Sequence, residues 1–203
     1  MIIEGVLTTL NDDGSPNIAA MGATVEPSTI GPDGLWTTFQ LRPFEGSKTF
    51  HNLSIRPFGV FHLIDNAELL ARAALSEAEN TTLIPAQSVQ GFVIDGSVRA
   101  YEFQLQLVDW SRPRATLDAS VIQSHNLREW SGWNRAQNAV LELTIMATRV
   151  GWTPRDIFES QIASLSPLIE KTAGEREKSA WIFVLDYLEK AWSKSASSGD
   201  PGR

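Results

Sequence analysis

The chain has 203 residues, 42% hydrophobic and 20% charged, a globular balance that excludes a disordered or collagen-like protein and suffices for one domain with its own core. A net charge of −7 gives a polyphosphate backbone little to hold and argues against nucleic acid as partner. Cysteine is absent, which excludes disulfide scaffolds, thiolate zinc sites, iron–sulfur clusters and cysteine nucleophiles, and fits a reducing compartment.

Ile2 to Leu10 is apolar and β-branched, the pattern of a strand. Asn11-Asp12-Asp13-Gly14-Ser15-Pro16 is a turn, and Asn17 to Val25 resumes in extended style, so the two runs predict a hairpin. A second turn, Gly31-Pro32-Asp33-Gly34, precedes a strand over Leu35 to Leu41. Ser47 to Ile55 predicts a short helix with Ser47 as N-cap and Phe50, Leu53 and Ile55 inward. Gly59 to Ile64 reads as a buried strand, Ala67 to Ser76 as a helix, and Phe92 to Trp110 and Thr116 to Ile122 as further strand.

From Asn134 the period changes. Ala136, Val140, Leu143, Ala147 and Val150 recur at helical spacing behind an Asn134 cap, although Leu141, Leu143 and Ile145 also alternate as a strand would. Thr153-Pro154 starts another helix, which Pro167 breaks or restarts, and Glu175 to Trp192 is amphipathic. The expected class is α+β: a β-barrel over 1–125, a helical C-terminal region of the same domain over 126–193, and a disordered tail over 194–203. No run of about 18 apolar residues occurs, and Glu4 interrupts the first apolar stretch, so a cytoplasmic protein without membrane span or leader is expected.

His51, His62 and His125 share no metal-ligand spacing; His62, inside an apolar run, reads as a satisfied core histidine. No Gly-x-Ser-x-Gly elbow is present. Gly46-Ser47-Lys48-Thr49 lacks the upstream glycine of an NTPase loop, yet suits a smaller phosphate. Arg42 supplies a charged fork, Ser47 and Thr49 supply hydroxyls, and a helix opening at Ser47 supplies free N–H groups. The same residues also describe a capped surface helix with solvated cations. In Asn17-Ile18-Ala19-Ala20-Met21-Gly22 the small residues either admit a flat ligand to the backbone or pack a crowded strand. Trp133-Asn134-Arg135-Ala136 stands in a stretch with Trp110, Trp130 and Trp152; its cap and cation suit an anion, and its tryptophans suit a core or a dimer contact.

Taken in order, these segments resemble the FMN-binding split β-barrel superfamily, the flavin-reductase-like group, and within it an uncharacterised branch best known from archaea. The resemblance rests on Thr8-Thr9-Leu10-Asn11-Asp12-Asp13-Gly14, on Pro16-Asn17-Ile18-Ala19-Ala20-Met21-Gly22, and on the run from Arg42 through Ser47, Thr49, Asn52 and Leu53. It continues in the Gly59 to Asp65 strand, Asn134-Arg135-Ala136, Ala147-Thr148-Arg149 and Ile169-Glu170-Lys171-Thr172-Ala173-Gly174, covering roughly residues 3–175. Ala20 stands where the family usually has proline, and His62 where asparagine is expected.

The resemblance implies a split β-barrel that holds FMN at a homodimer interface. It implies that Arg42, Ser47 and Thr49 hold the phosphate with Lys48 and Asn52 beside them. Asn17, Ala19, Met21 and Gly22 would line the isoalloxazine ring, and Asn134, Arg135 and Lys171 would approach the same pocket or a small-molecule substrate. The implied activity is a flavin-dependent oxidoreductase, with a flavin or cofactor carrier without turnover as the alternative. No metal site is implied.

Overall fold

The computed structural model describes residues 1–110 and 115–197. β1 (Ile2–Leu10) and β2 (Pro16–Thr24) pair from Ile2↔Thr24 to Leu10↔Pro16, the expected hairpin. Gly14 turns it with φ 82°, and Asn11 donates its N–H to the Ser15 carbonyl at 2.9 Å. β3 (Thr38–Leu41) is shorter than expected, because Trp36 makes only an isolated bridge to Ile30. α1 (Lys48–Ile55), β4 (Phe58–Leu63) and α2 (Ala67–Ala74) follow at their predicted places, and Ser76, with φ 61°, lies just beyond the end of α2.

The stretch from Phe92 to Trp110, expected to carry strand, holds two strands. β6 (Phe92–Ile94) pairs with β5 (Leu83–Pro85), and a turn at Gly96, φ 78°, separates it from β7 (Arg99–Asp109). β8 (Thr116–Asn126) runs past the expected end at Ile122. The antiparallel order β1-β2-β3-β8-β7-β4, with β4 returning to β1, closes a barrel. Aromatic rings fill it: Trp36 stacks on Tyr101 at 4.6 Å, and Phe39 packs between Phe61 and Phe103. Two glycines let β1 and β4 meet. A Cβ on Gly5 would lie 2.5 Å from the His62 carbonyl oxygen, and one on Gly59 would lie 2.8 Å from that of Thr8.

Beyond the barrel, α3 (Arg135–Ala147) is a helix, so helical spacing prevails over strand alternation. α4 (Arg155–Thr172) is continuous through Pro167, against the expected break. Pro167 and Ala163, whose carbonyl loses its N–H donor, are both exposed, while Leu165 and Ile169 bury the opposite face. α5 (Glu175–Ser197) extends beyond Trp192 into the segment expected to be disordered from 194; residues 198–203 lie outside those described.

Met1–Asp65 with Ala78–Trp130 form one compact unit; Asn66–Glu77 with the chain from Ser131 form the other. The helical unit therefore differs from the expected 126–193 by taking α2 as well. Ala67, Ala71 and Leu75 share a core there with Leu143, Phe158, Val184 and Leu188. The second helix is recruited because its small apolar stripe has nowhere to bury on its own.

Candidate functional site

β3 pairs with β2 only at Leu41↔Ala23 and Gln40↔Thr24. Arg42 then leads into Pro43, which has no N–H to offer a ladder. Along Pro16–Gly22 the edge of β2 turned away from β1 has no strand partner among the described residues. That opening splits the barrel wall.

The loop after Arg42 delivers α1. Ser47 caps it, its hydroxyl oxygen accepting the Phe50 N–H at 3.1 Å, as its position predicts. Against expectation, Ile55 is 52% exposed and Phe50 only half-buried; Thr49 and Asn52 share the buried face with Leu53. Two polar residues can occupy that face because the hairpin satisfies them. Asn52 Nδ2 donates to Thr9 Oγ1 at 3.0 Å and to Asn11 Oδ1 at 3.1 Å. Asn17 Nδ2 donates to Thr9 Oγ1 and Thr49 Oγ1, both at 3.2 Å. Arg56 adds donors to the carbonyls of Asn11 and Asp12.

An open groove of about 870 Å³ lies against α1 and the hairpin turn, with Ser47 and Lys48 on one side and Asp12 and Asp13 on the other. Lys48 and Arg42 are exposed and make no hydrogen bond or ion pair among the described residues. Of the residues expected at a phosphate, Ser47, Lys48 and Asn52 line the groove, while Thr49 and Arg42 are not among its walls. Of those expected at a ring, Met21 packs with the barrel core, and the two-residue strand period sets Asn17 and Ala19 on the same side. Gly22 falls on the opposite side, so the backbone edge of β2 is the only surface that all four share. Ala20 lies on the Gly22 side, opposite Val6.

Asn134, Arg135 and Lys171 belong to the helical unit. Asn134 caps α3, accepting the Ala136 N–H at 2.8 Å, and donates to the Thr172 carbonyl at 3.2 Å. Both halves of its amide hold helices. Arg135 and Lys171 are exposed without a partner among the described residues. A tryptophan core at this segment is not found: Trp110 is 36%, Trp130 45%, and Trp133 and Trp152 each 91% exposed.

A second polar cluster, unread from the sequence, anchors β5 and β6 over the barrel. The buried Glu102 carboxylate accepts the successive N–H groups of Gln87, Ser88 and Val89 at 2.6–2.8 Å and faces His125 Nε2 at 2.6 Å. Burial works to raise its pKa, but these N–H groups and His125 together hold it below the ordinary glutamate range. The only sequence signal is an acid at an outward position of an apolar strand. His62 is the satisfied core histidine that its position predicts. Its Nε2 accepts the Ile94 N–H at 3.0 Å, which puts the proton on Nδ1, donating to the Val6 carbonyl at 3.0 Å. Burial pushes its pKa down to about 4, against the pull of the Val6 bond, and His125 pushes the same way. Neither cluster lines the groove. Among the described residues no group of three or more potential ligands could hold a metal, and no helix is long and apolar enough to cross a membrane.

A family model described as the N-terminal domain of a protein of unknown function, DUF447, matches residues 3–128, and its C-terminal counterpart matches residues 134–186. An FMN-bound Methanosarcina mazei protein of that family is similar over 92% of this chain and 94% of its own, with TM-score 0.75 at 20% identity. The barrel alone is shared more widely. Pseudomonas fluorescens 2-nitrobenzoate 2-nitroreductase matches at TM-score 0.51 and 19% identity, over 61% of this chain and 64% of its own. An FMN-binding protein from Thermus thermophilus matches at TM-score 0.51 and 11% identity, over 61% and 70%. No curated protein matches. The α+β class and the split β-barrel with helical C-terminal region stand as expected.

Proposed function

The chain belongs to the DUF447 family, and from that premise we propose that it binds FMN and works as a flavin-dependent oxidoreductase on a small molecule. The observation that carries this reading is the edge of β2, unpaired among the described residues, beside the capped mouth of α1, with Lys48 in the groove wall and Arg42 at the end of β3 both without partners among the described residues. The FMN-bound relative supports it.

In this proposal the free N–H groups at the start of α1, the Ser47 hydroxyl and the Lys48 ammonium receive the phosphate, and Arg42 reaches it from the end of β3. Thr49 and Asn52 position α1 rather than touch the anion. The backbone edge from Asn17 to Gly22 receives the ring's polar atoms, and the small Ala19 and Gly22 keep that approach close. FMN, when bound, supplies the hydride and electron transfer. A second copy of the chain would cover the exposed Phe44 and the Phe50–Trp110 edge contact, 4.7 Å between centroids, and close the split. Asn134, Arg135 and Lys171 have no role in this reading.

Titration of the purified protein with FMN, followed by flavin fluorescence, tests the proposal. Saturable binding is expected, and Arg42→Ala with Lys48→Ala should weaken it by about 10- to 100-fold, the worth of charge-assisted hydrogen bonds. No uptake overturns the reading. Because the groups with shifted pKa in the barrel wall serve structure, a carrier without turnover remains the second reading. Bleaching of bound FMN by NADH or NADPH at a useful rate favours the oxidoreductase, and its absence the carrier. Sedimentation gives the oligomeric state.

A further inference from the structure

We propose that the groove beside α1 selects the monophosphate flavin over the dinucleotide FAD by charge rather than by room. The inference rests on the FMN reading above and concerns the space next to the phosphate. A group esterified to that phosphate would extend from Ser47 and Lys48 into the groove, and its volume of about 870 Å³ leaves space for a nucleotide. Sterics therefore do not exclude FAD.

The walls do. Three carboxylates face the groove, Asp12, Asp13 and Glu45, all exposed. Asp12 faces His51, whose Nε2 lies 3.1 Å from Oδ2. Asp13 accepts the N–H and the hydroxyl of Ser15 at 2.9 and 2.6 Å, bonds that keep it ionised below the usual carboxylate range. Glu45 makes no hydrogen bond or ion pair among the described residues. Among the residues on these walls, the lysine at the helix mouth is the permanent cation.

A phosphate monoester carries about −1.5 to −2 at neutral pH on a single phosphorus. FMN thus concentrates its charge where Lys48, Arg42 and the helix N–H groups can meet it. FAD spreads a similar charge over two phosphorus atoms, leaving one at the helix mouth and carrying the other among the carboxylates. The dinucleotide loses attraction at the first position and meets repulsion at the second.

The test compares FMN and FAD affinities by fluorescence titration, for the wild type and for Glu45→Gln combined with Asp13→Asn, with thermal melts confirming that the variant folds. The wild type should hold FMN about tenfold or more above FAD, and the variant should narrow that ratio about three- to tenfold, chiefly by raising FAD affinity. Raising salt on the wild type should narrow the ratio as well, since it screens both effects. Equal wild-type affinities, or a ratio that neither the variant nor salt moves, overturns the proposal and leaves FMN binding intact. Failure of FMN itself to bind overturns both.

Discussion

Asn52 is buried on α1, yet its amide nitrogen donates to the hairpin, at Thr9 and Asn11. Asn52→Ala removes a donor that two buried or half-buried acceptors share. It should cost about 1–3 kcal/mol of stability, read as a lowered urea midpoint, and weaken flavin binding by letting α1 shift. His62 makes a prediction in pH. Its pKa is about 4 in the folded chain against 6.5 unfolded, so the unfolded state takes up the proton first as pH falls. Stability is intact above pH 6.5 and falls progressively toward pH 4, by about 3 kcal/mol in all. His62→Asn should flatten urea midpoints across that window. Glu102, its carboxyl held below the ordinary range, gives up its contribution only at lower pH, as the pH falls through its folded value. At this scale the Ser47 cap was legible because its partner is three residues on, and the burial of His62 because it sits in an apolar run, although its partners Val6 and Ile94 are distant in sequence. The inward turn of Thr49 and Asn52 was not, since their partners lie 32 and 43 residues away.

The elements were legible where one period dominates. The first hairpin, α1 and α2 fall at their predicted places because turn and cap chemistry is local. The errors lie where local signals compete. Gly96 interrupts a run that alternates well on both sides, and β5 is too short to stand out before β6 pairs with it. Pro167 is a stop signal overridden by packing of Leu165 and Ile169. Pro167→Ala restores the missing N–H to an otherwise regular helix. It should raise stability by about 1–3 kcal/mol, measured as an upward shift in melting temperature. The split in the barrel is likewise an element-scale device. Its cue, a proline after a short strand, is visible in Pro43, but which edge it leaves open follows only from the register of β2 against β3.

The whole molecule consists of two units, and the chain passes between them after Asp65, after Glu77 and after Trp130. Barrel-then-helices was readable from the change of period near Asn134; the membership of α2 was not, because an apolar stripe does not name its partner. A fragment beginning at Ser131 should therefore fold poorly. It lacks the helix that covers Ala139, Leu143 and Val184, and circular dichroism should show a broad, uncooperative melt. Supplying residues 66–77 through a flexible linker should sharpen that melt.

The borrowed helix has a further consequence during synthesis. As the polypeptide emerges from the ribosome, α2 arrives with its apolar stripe bare while α3 and α5, which will cover it, have not yet been translated. The nascent barrel must finish with that sticky insert dangling from its side. A holdase that masks such stretches would have its best opportunity in the interval between Glu77 and the completion of α5.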